Sequence, residues 1–362
     1  MNQIFNFSPG PAILPHTVLK QAQKELLNWN NLNMSVMEIS HRSKYFIRLI
    51  EDLKEDLITL MNIPNNYEIL FCQGGARSQF SAVPMNLLKY NDKAAYVNMG
   101  FWSNKAIQEA KKYCNPYVLN VKKKKNNIDY IQLMNKWHIH NDIKYIHYCP
   151  NETIEGIATY EEPSFNDIIV VADLSSYILT KYINIKQYGV IYASAQKNIG
   201  PAGLTIVIIR KDLLEQEKRI ELPSALNYQI IAQHNSMFNT PPTFALYLSY
   251  LVLQWLKQQG GISTISHINQ QKSQLLYDTI DNSNIYINNI AKKNRSMTNI
   301  VFTLPNIKTE KLFLKYANNH GLFFLKGHNA IGGIRASIYN AMPLKGVKKL
   351  VNCMNDFEKK YL

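Results

Sequence analysis

Cysteine is scarce in this chain of 362 residues, and the four present (Cys72, Cys114, Cys149 and Cys353) form no CxxC pair and no zinc spacing. No metal site is therefore expected. The scatter suits buried or partly buried free thiols in a reducing cytoplasm. Long apolar runs are also missing, so no membrane crossing is expected. The start, Met1-Asn2-Gln3-Ile4-Phe5-Asn6, has neither a basic n-region nor a long apolar h-region, and no secretory leader is read there. No GxxxxGK(S/T) motif occurs, which argues against a nucleotide P-loop. Internal repeats are absent, and low complexity is confined to Lys122-Lys123-Lys124-Lys125 with Asn126-Asn127 behind it.

Acidic residues are outnumbered, 26 against 40 Lys and Arg, for a formal charge of +14. A nucleic-acid surface is one reading, but the basic residues are spread along the chain rather than gathered in a stripe. The other two are AT-biased coding, which enriches Asn, Ile and Lys without functional demand, and a field that collects anionic substrates. The Lys block reads as a solvated hairpin or loop tip.

What is present is a large hydrophobic share, 46% of residues, enough for a substantial core and for one large domain with a smaller one. Helical spacing marks residues 16–28 and 43–61, and the Gly-Gly turn at 74–75 leads to a helix expected near Ser78. Strand-like runs alternate with helices from about 65 to 210, which argues for an α/β fold with a mostly parallel sheet covered on both faces. A helix over 243–258 stops at Gly260-Gly261. Beyond it an α+β pattern suggests a smaller domain. The expected division is 16–258 for the large domain, with 1–15 and 259–362 forming the small one.

Two residues stand at the ends of apolar runs. Asp173 closes Ile168-Ile169-Val170-Val171-Ala172, and Lys197 follows a run from Gly189 to Gln196 and precedes the turn residues Asn198, Gly200, Pro201 and Gly203. Ligands of open α/β sheets sit beyond the carboxyl ends of such strands. An acid and an amine presented there can hold pyridoxal phosphate, the amine condensing with its aldehyde and the acid pairing with its ring nitrogen. The plainer alternative is an Asp capping a turn and an exposed loop Lys. Gly74-Gly75-Ala76-Arg77, between strand and helix, is either a phosphate-binding turn or an ordinary tight one. Trp102 either stacks on a cofactor or packs at a helix start. Asn239-Thr240-Pro241 reads as a helix N-cap.

Longer matches then accumulate: Asn6-Phe7-Ser8-Pro9-Gly10-Pro11-Ala12, Ser35 to Arg42, His147 to Gly156, Ala195-Gln196-Lys197-Asn198-Ile199-Gly200-Pro201-Ala202-Gly203, Met237 to Thr243, Lys326-Gly327-His328 and Gly332 to Asn340. Over essentially its whole length the chain resembles the phosphoserine aminotransferase family, fold-type I enzymes of the class-V aminotransferase group. The resemblance implies pyridoxal 5'-phosphate as cofactor, Lys197 and Asp173 as catalytic residues, and Ala76, Arg77, Trp102, Thr153, Gln196, Asn239 and Thr240 as further cofactor contacts. Asn239 and Thr240 would reach the phosphate of the neighbouring subunit in a homodimer with sites shared across the interface. Arg335 would bind the substrate α-carboxylate, and His41, Arg42, Arg77 and His328 the phosphate or side-chain carboxylate. The implied substrates are phosphoserine, glutamate and 2-oxoglutarate, with a phosphorylated hydroxythreonine of vitamin B6 synthesis as a second activity. Ala76 departs from a position where the family often has glycine, and Pro9 from one where many relatives carry Ser or Ala. The competing readings are another class-V enzyme, a desulfurase or lyase, and a basic nucleic-acid-binding protein.

Overall fold

A computed structural model describes residues 4–361 apart from 166, 167, 217, 218 and 220. The first three residues, where the reading for a leader begins, lie outside this set. A central sheet runs through the larger part of the molecule. Its strands are β2 (Tyr67–Gln73), β3 (Lys93–Asn98), β4 (Tyr117–Asn120), β7 (Ile143–Tyr148), β10 (Ile169–Asp173), β11 (Val190–Ser194) and β12 (Leu204–Arg210), in the order β2-β12-β11-β10-β7-β3-β4. Only β12 runs antiparallel to its neighbours, so the sheet is mostly parallel as expected.

Alternation at period two explains why both faces are covered. In β11, Val190 and Tyr192 join one hydrophobic cluster and Ile191 and Ala193 the other. The first face packs under α3 (Ala76–Leu87), α4 (Phe101–Ala110) and α5 (Tyr228–Gln233). The second packs under α1 (His16–Glu25), α2 (Lys44–Met61) and α6 (Thr243–Gln258). Helix α2 forms because Ser43 caps it, accepting from Phe46 N, and because Phe46, Leu49, Ile50, Leu53 and Leu57 fall on one buried face.

A second core lies beyond α6. It joins the latter half of α7 (Gly261–Asp281), α8 (Ile307–Asn319) and α9 (Leu344–Tyr361) to three short strands. These are β13 (Asn299–Phe302), β14 (Leu322–Phe323) and β15 (Ile334–Ser337). The chain start adds β1 (Phe5–Asn6), parallel to β14. Helix α7 serves both cores: Ile262 and Ile265 belong to the first, Leu276, Tyr277 and Ile280 to the second.

Several local expectations need correction. Helix α1 ends at Glu25 rather than 28, and α3 starts at Ala76 rather than near Ser78. Asn239 and Thr240 do not cap α6. Pro242 is its N-cap residue, and the Asn239 side chain and Thr240 carbonyl accept from Gln73 Nε2 instead, at 3.0 and 2.7 Å. Helix α8 went unread because only Phe313 and Ala317 of its residues are buried. The Lys block, by contrast, forms the expected hairpin, as strand β5 (Lys122–Lys125) paired with β6 (Ile128–Ile131). Asn126 and Asn127 turn the hairpin at φ of 50° and 61°, a left-handed region that Asn tolerates.

Candidate active site

Strands β10 and β11 are neighbours, with Asp173 in register with Tyr192, so Asp173 and the turn after Ser194 emerge side by side. That turn is held by Ala195 N donating to Leu204 O and by Ile199 N and Gly200 N donating to Ala195 O. Gly200 lies flush against α6: a Cβ there would meet Ser249 Oγ at 2.3 Å and Ser249 Cα at 3.2 Å. The turn thus puts Lys197 inside the molecule, only 9% exposed, which removes the reading of an exposed loop lysine.

Lys197 Nζ donates to Thr153 Oγ1 at 2.5 Å. Burial pushes its ammonium down to about 8; Arg335 adds to the fall, while Asp173 and Glu152 oppose it. Asp173 is equally buried. Its Oδ1 accepts from Ser175 N at 2.9 Å, so it does cap a turn, but it also lines the cavity that Lys197 faces. Burial pushes its carboxyl up, against the pull of Ser175 and Lys197.

The cavity measures about 350 Å³, within the ~300–1,000 Å³ usual for small-ligand sites. Its wall includes Ala76, Arg77, Trp102, Thr153, Asp173, Gln196 and Lys197, so the structure brings these expected residues together. Ala76 opens α3 with no left-handed φ, which is why alanine fits there. No side chain caps this end of α3. The Trp102 ring carries the Arg77 guanidinium at 5.4 Å, and its Nε1 is buried without a hydrogen-bond partner.

The remaining expected residues stand outside the cavity wall. Arg335, on β15, is 6% exposed with Nε unpartnered, and burial lowers its guanidinium from the usual value while Tyr339 and Glu155 resist. His328 lies against the Phe101 ring at 5.0 Å. His41 keeps a buried Nε2 without a partner, and Arg42 is exposed. Asn239 and Thr240 are exposed beside Gln73. Pro9 offers its carbonyl to Tyr339 Oη at 2.9 Å.

Sequence reasoning passed over Glu152 and Glu155 as individuals. Glu152, in the short strand β8 (Asn151–Glu152), accepts from Trp102 N at 2.9 Å and Ser103 N at 2.8 Å. Glu155 accepts from Phe101 N at 2.8 Å. Their partners lie some fifty residues earlier, so no local pattern could reveal them. Asn151 links β8 onward, its Nδ2 donating to Ser176 Oγ at 2.8 Å and Asn299 Oδ1 at 2.9 Å.

Known proteins resemble the chain throughout. The family model described as aminotransferase class-V matches residues 4–350. Phosphoserine aminotransferase of Buchnera aphidicola subsp. Schizaphis graminum is 59% identical over the full length of both chains. A solved phosphoserine aminotransferase, studied for radiation damage to its Schiff base, superposes at a TM-score of 0.95 with 41% identity, covering 99% of this chain and 100% of that one. Another, from Bacillus circulans subsp. alkalophilus, gives 0.94 at 36% identity and 99% of each chain.

Proposed function

The chain belongs to the class-V aminotransferases, in the phosphoserine aminotransferase family, and on that premise we propose that it interconverts 3-phosphohydroxypyruvate plus L-glutamate with O-phospho-L-serine plus 2-oxoglutarate. This is a step of serine biosynthesis, placed in the cytoplasm. A second substrate, 4-phosphohydroxy-L-threonine of vitamin B6 biosynthesis, belongs to the same proposal. The observation that carries it is one cavity uniting a buried amine, a buried carboxylate, an indole and the uncapped start of α3. No helix among the described residues is long and apolar enough to cross a membrane.

Two features support pyridoxal phosphate as the group held there. The first N–H groups of α3 have no side-chain cap and suit a phosphate. The indole of Trp102 faces the cavity with its Nε1 free. When bound, pyridoxal phosphate supplies an aldehyde that captures amines and a ring that withdraws electrons from the substrate Cα. Lys197 would hold it through Nζ, and the same amine could take and return a proton at the substrate Cα. The lowered basicity of this amine keeps a neutral fraction available near neutral pH. Asp173 would keep a proton on the ring nitrogen, since an adjacent opposite charge raises a base by ~1–3 pK units. Thr153 would bind the phenolic oxygen, Trp102 the ring face, and Ala76, Arg77 and Gln196 the phosphate.

Arg335 would take the α-carboxylate as a fork. His41, Arg42, Arg77 and His328 would bind the phosphate or the glutamate side chain, each charged hydrogen bond contributing ~1.5–3 kcal/mol. Asn239 and Thr240 would reach the phosphate held in a second copy of the chain, giving a homodimer with shared sites.

A substrate panel with and without the phosphate group tests this reading. Turnover that requires the phosphate on the amino donor or the keto acid supports it; equal turnover of serine and phosphoserine ends it. A desulfurase needs a thiolate nucleophile. Cys353 is buried in α9, and burial holds the cavity's Cys149 thiol well above its ordinary value, so neither supplies one.

A further inference from the structure

A buried glutamate and a half-buried one do the work of a cap at the start of α4. Glu152 is fully buried and gives one oxygen to Trp102 N and the other to Ser103 N. Glu155 gives Oε1 to Phe101 N. Gly100 makes room for them: a Cβ there would stand 2.8 Å from Glu152 Cγ and 2.8 Å from Glu155 Cδ. Burial raises the cost of ionising both carboxyls, and Glu155 raises that of Glu152 further. A cap of this kind is worth having near a helix start, because first-turn N–H groups carry partial positive charge. A single exposed Ser or Asp would have served that purpose.

The placement of Glu152 in the chain gives it a second consequence. Its neighbour Thr153 accepts the Lys197 amine, and Trp102 lines the same cavity as Lys197. Residues 152 and 153 therefore tie two walls of the cavity together, the indole wall through a backbone N–H and the amine wall through a hydroxyl. We propose that Glu152 is a positioning residue for the indole of Trp102, fixing the ring wall of the cofactor cavity relative to Lys197. This rests on the reading that the cavity holds pyridoxal phosphate.

The test is binding rather than turnover. The apoprotein is titrated with pyridoxal phosphate, following visible absorbance and the induced circular dichroism of the bound chromophore. Glu152→Gln keeps one acceptor and turns an NH2 group toward the other N–H, so the start of α4 must shift. The expected result is about tenfold weaker binding and a changed induced band. In a Trp102→Phe background the same substitution should weaken binding by less than about twofold, because residues acting through one another are non-additive. Glu155→Gln removes a charge from the same pair but keeps an acceptor for Phe101 N, and should leave the affinity within about twofold of wild type.

Three outcomes overturn the inference: unchanged binding by Glu152→Gln, effects of Glu152→Gln and Trp102→Phe that simply add, or a loss in Glu155→Gln as large as in Glu152→Gln. If Glu152→Gln does not fold, Glu152→Asp, which withdraws both oxygens by one methylene, takes its place with the same expected and overturning results. Wild-type protein that fails to take up pyridoxal phosphate at all overturns the cofactor reading instead, which keeps the two failures apart.

Discussion

Lys197 and Lys272 are both taken out of water, one at the cavity and one in the junction between α7 and the segment after β15. Lys197 is 9% exposed, and burial lowers it to about 8; Lys272 is 0% exposed, and burial lowers it to about 7. Their partners differ. Lys197 donates to a single hydroxyl, Thr153 Oγ1, and otherwise lines the cavity. Lys272 donates to three carbonyls, Ile338 O at 3.1 Å, Tyr339 O at 2.8 Å and Met342 O at 3.0 Å. The three carbonyls take up every N–H that the ammonium has to give, and no cavity lies beside it among the described residues. Desolvation by itself does not make a reactive amine. The amine must also have a cavity beside it and few partners to leave.

Lys197→Ala should break the comparison most severely. Transamination should fall by at least ~10²–10⁴-fold, the range for losing a general acid–base group, with the fold retained. Steady-state assays measure it, and near-wild-type turnover would remove Lys197 from the chemistry. Lys272→Met should act the opposite way. It strands three buried carbonyls at ~1–3 kcal/mol each at most, which a denaturant titration reads as a lower midpoint. If that variant instead keeps its stability but loses turnover, the two lysines do not divide the labour as stated.

Labelling sharpens the contrast. Amine-directed reagent applied to apoprotein should modify Lys197 increasingly as pH rises through about 8, since the neutral amine appears above the lowered value. Lys272, with no exposed surface, should stay unmodified over the same range, as peptide mass analysis would show. The linkage has the matching sign. Between about 8 and 10.5 the unfolded chain binds a proton at Lys197 that the fold does not, so this group makes the apoprotein more stable as pH rises, and Lys197→Ala should flatten that slope. The smallest effect is expected for Asn269→Ala, one turn from Lys272. Asn269 Nδ2 donates to Asn340 Oδ1 at 2.8 Å, and Asn340 N donates to Asn198 Oδ1 at 3.0 Å, next to Lys197. Its loss should cost about 1 kcal/mol of stability and change turnover little.

The two lysines also mark the limit of what was legible. Lys197 could be singled out because it follows an apolar strand run and precedes a glycine-rich turn. Nothing in Gln270-Gln271-Lys272-Ser273 sets Lys272 apart from the surface lysines around it. Most strands and helices were legible because their apolar periodicity is local. Helix α8 escaped because it buries little, though Asn306, which accepts from Thr309 N, was a readable cap. Glu152 and Glu155 escaped because their partners are the N–H groups of a helix far back in the chain.

What the sequence determined by itself was the alternation of strands and helices, the solvated Lys hairpin, and an acid and an amine at two strand ends. These depend on neighbours within a few residues, where side-chain period and turn chemistry act directly. Only the tertiary structure decided that Lys197 is enclosed, that Thr153 is its partner, that two glutamates cap the helix bearing Trp102, and that Lys272 is locked among carbonyls. Each of these depends on burial and on hydrogen bonds between segments tens of residues apart. Such contacts exist only once the sheet has set β10 beside β11 and packed α3 and α4 over their ends.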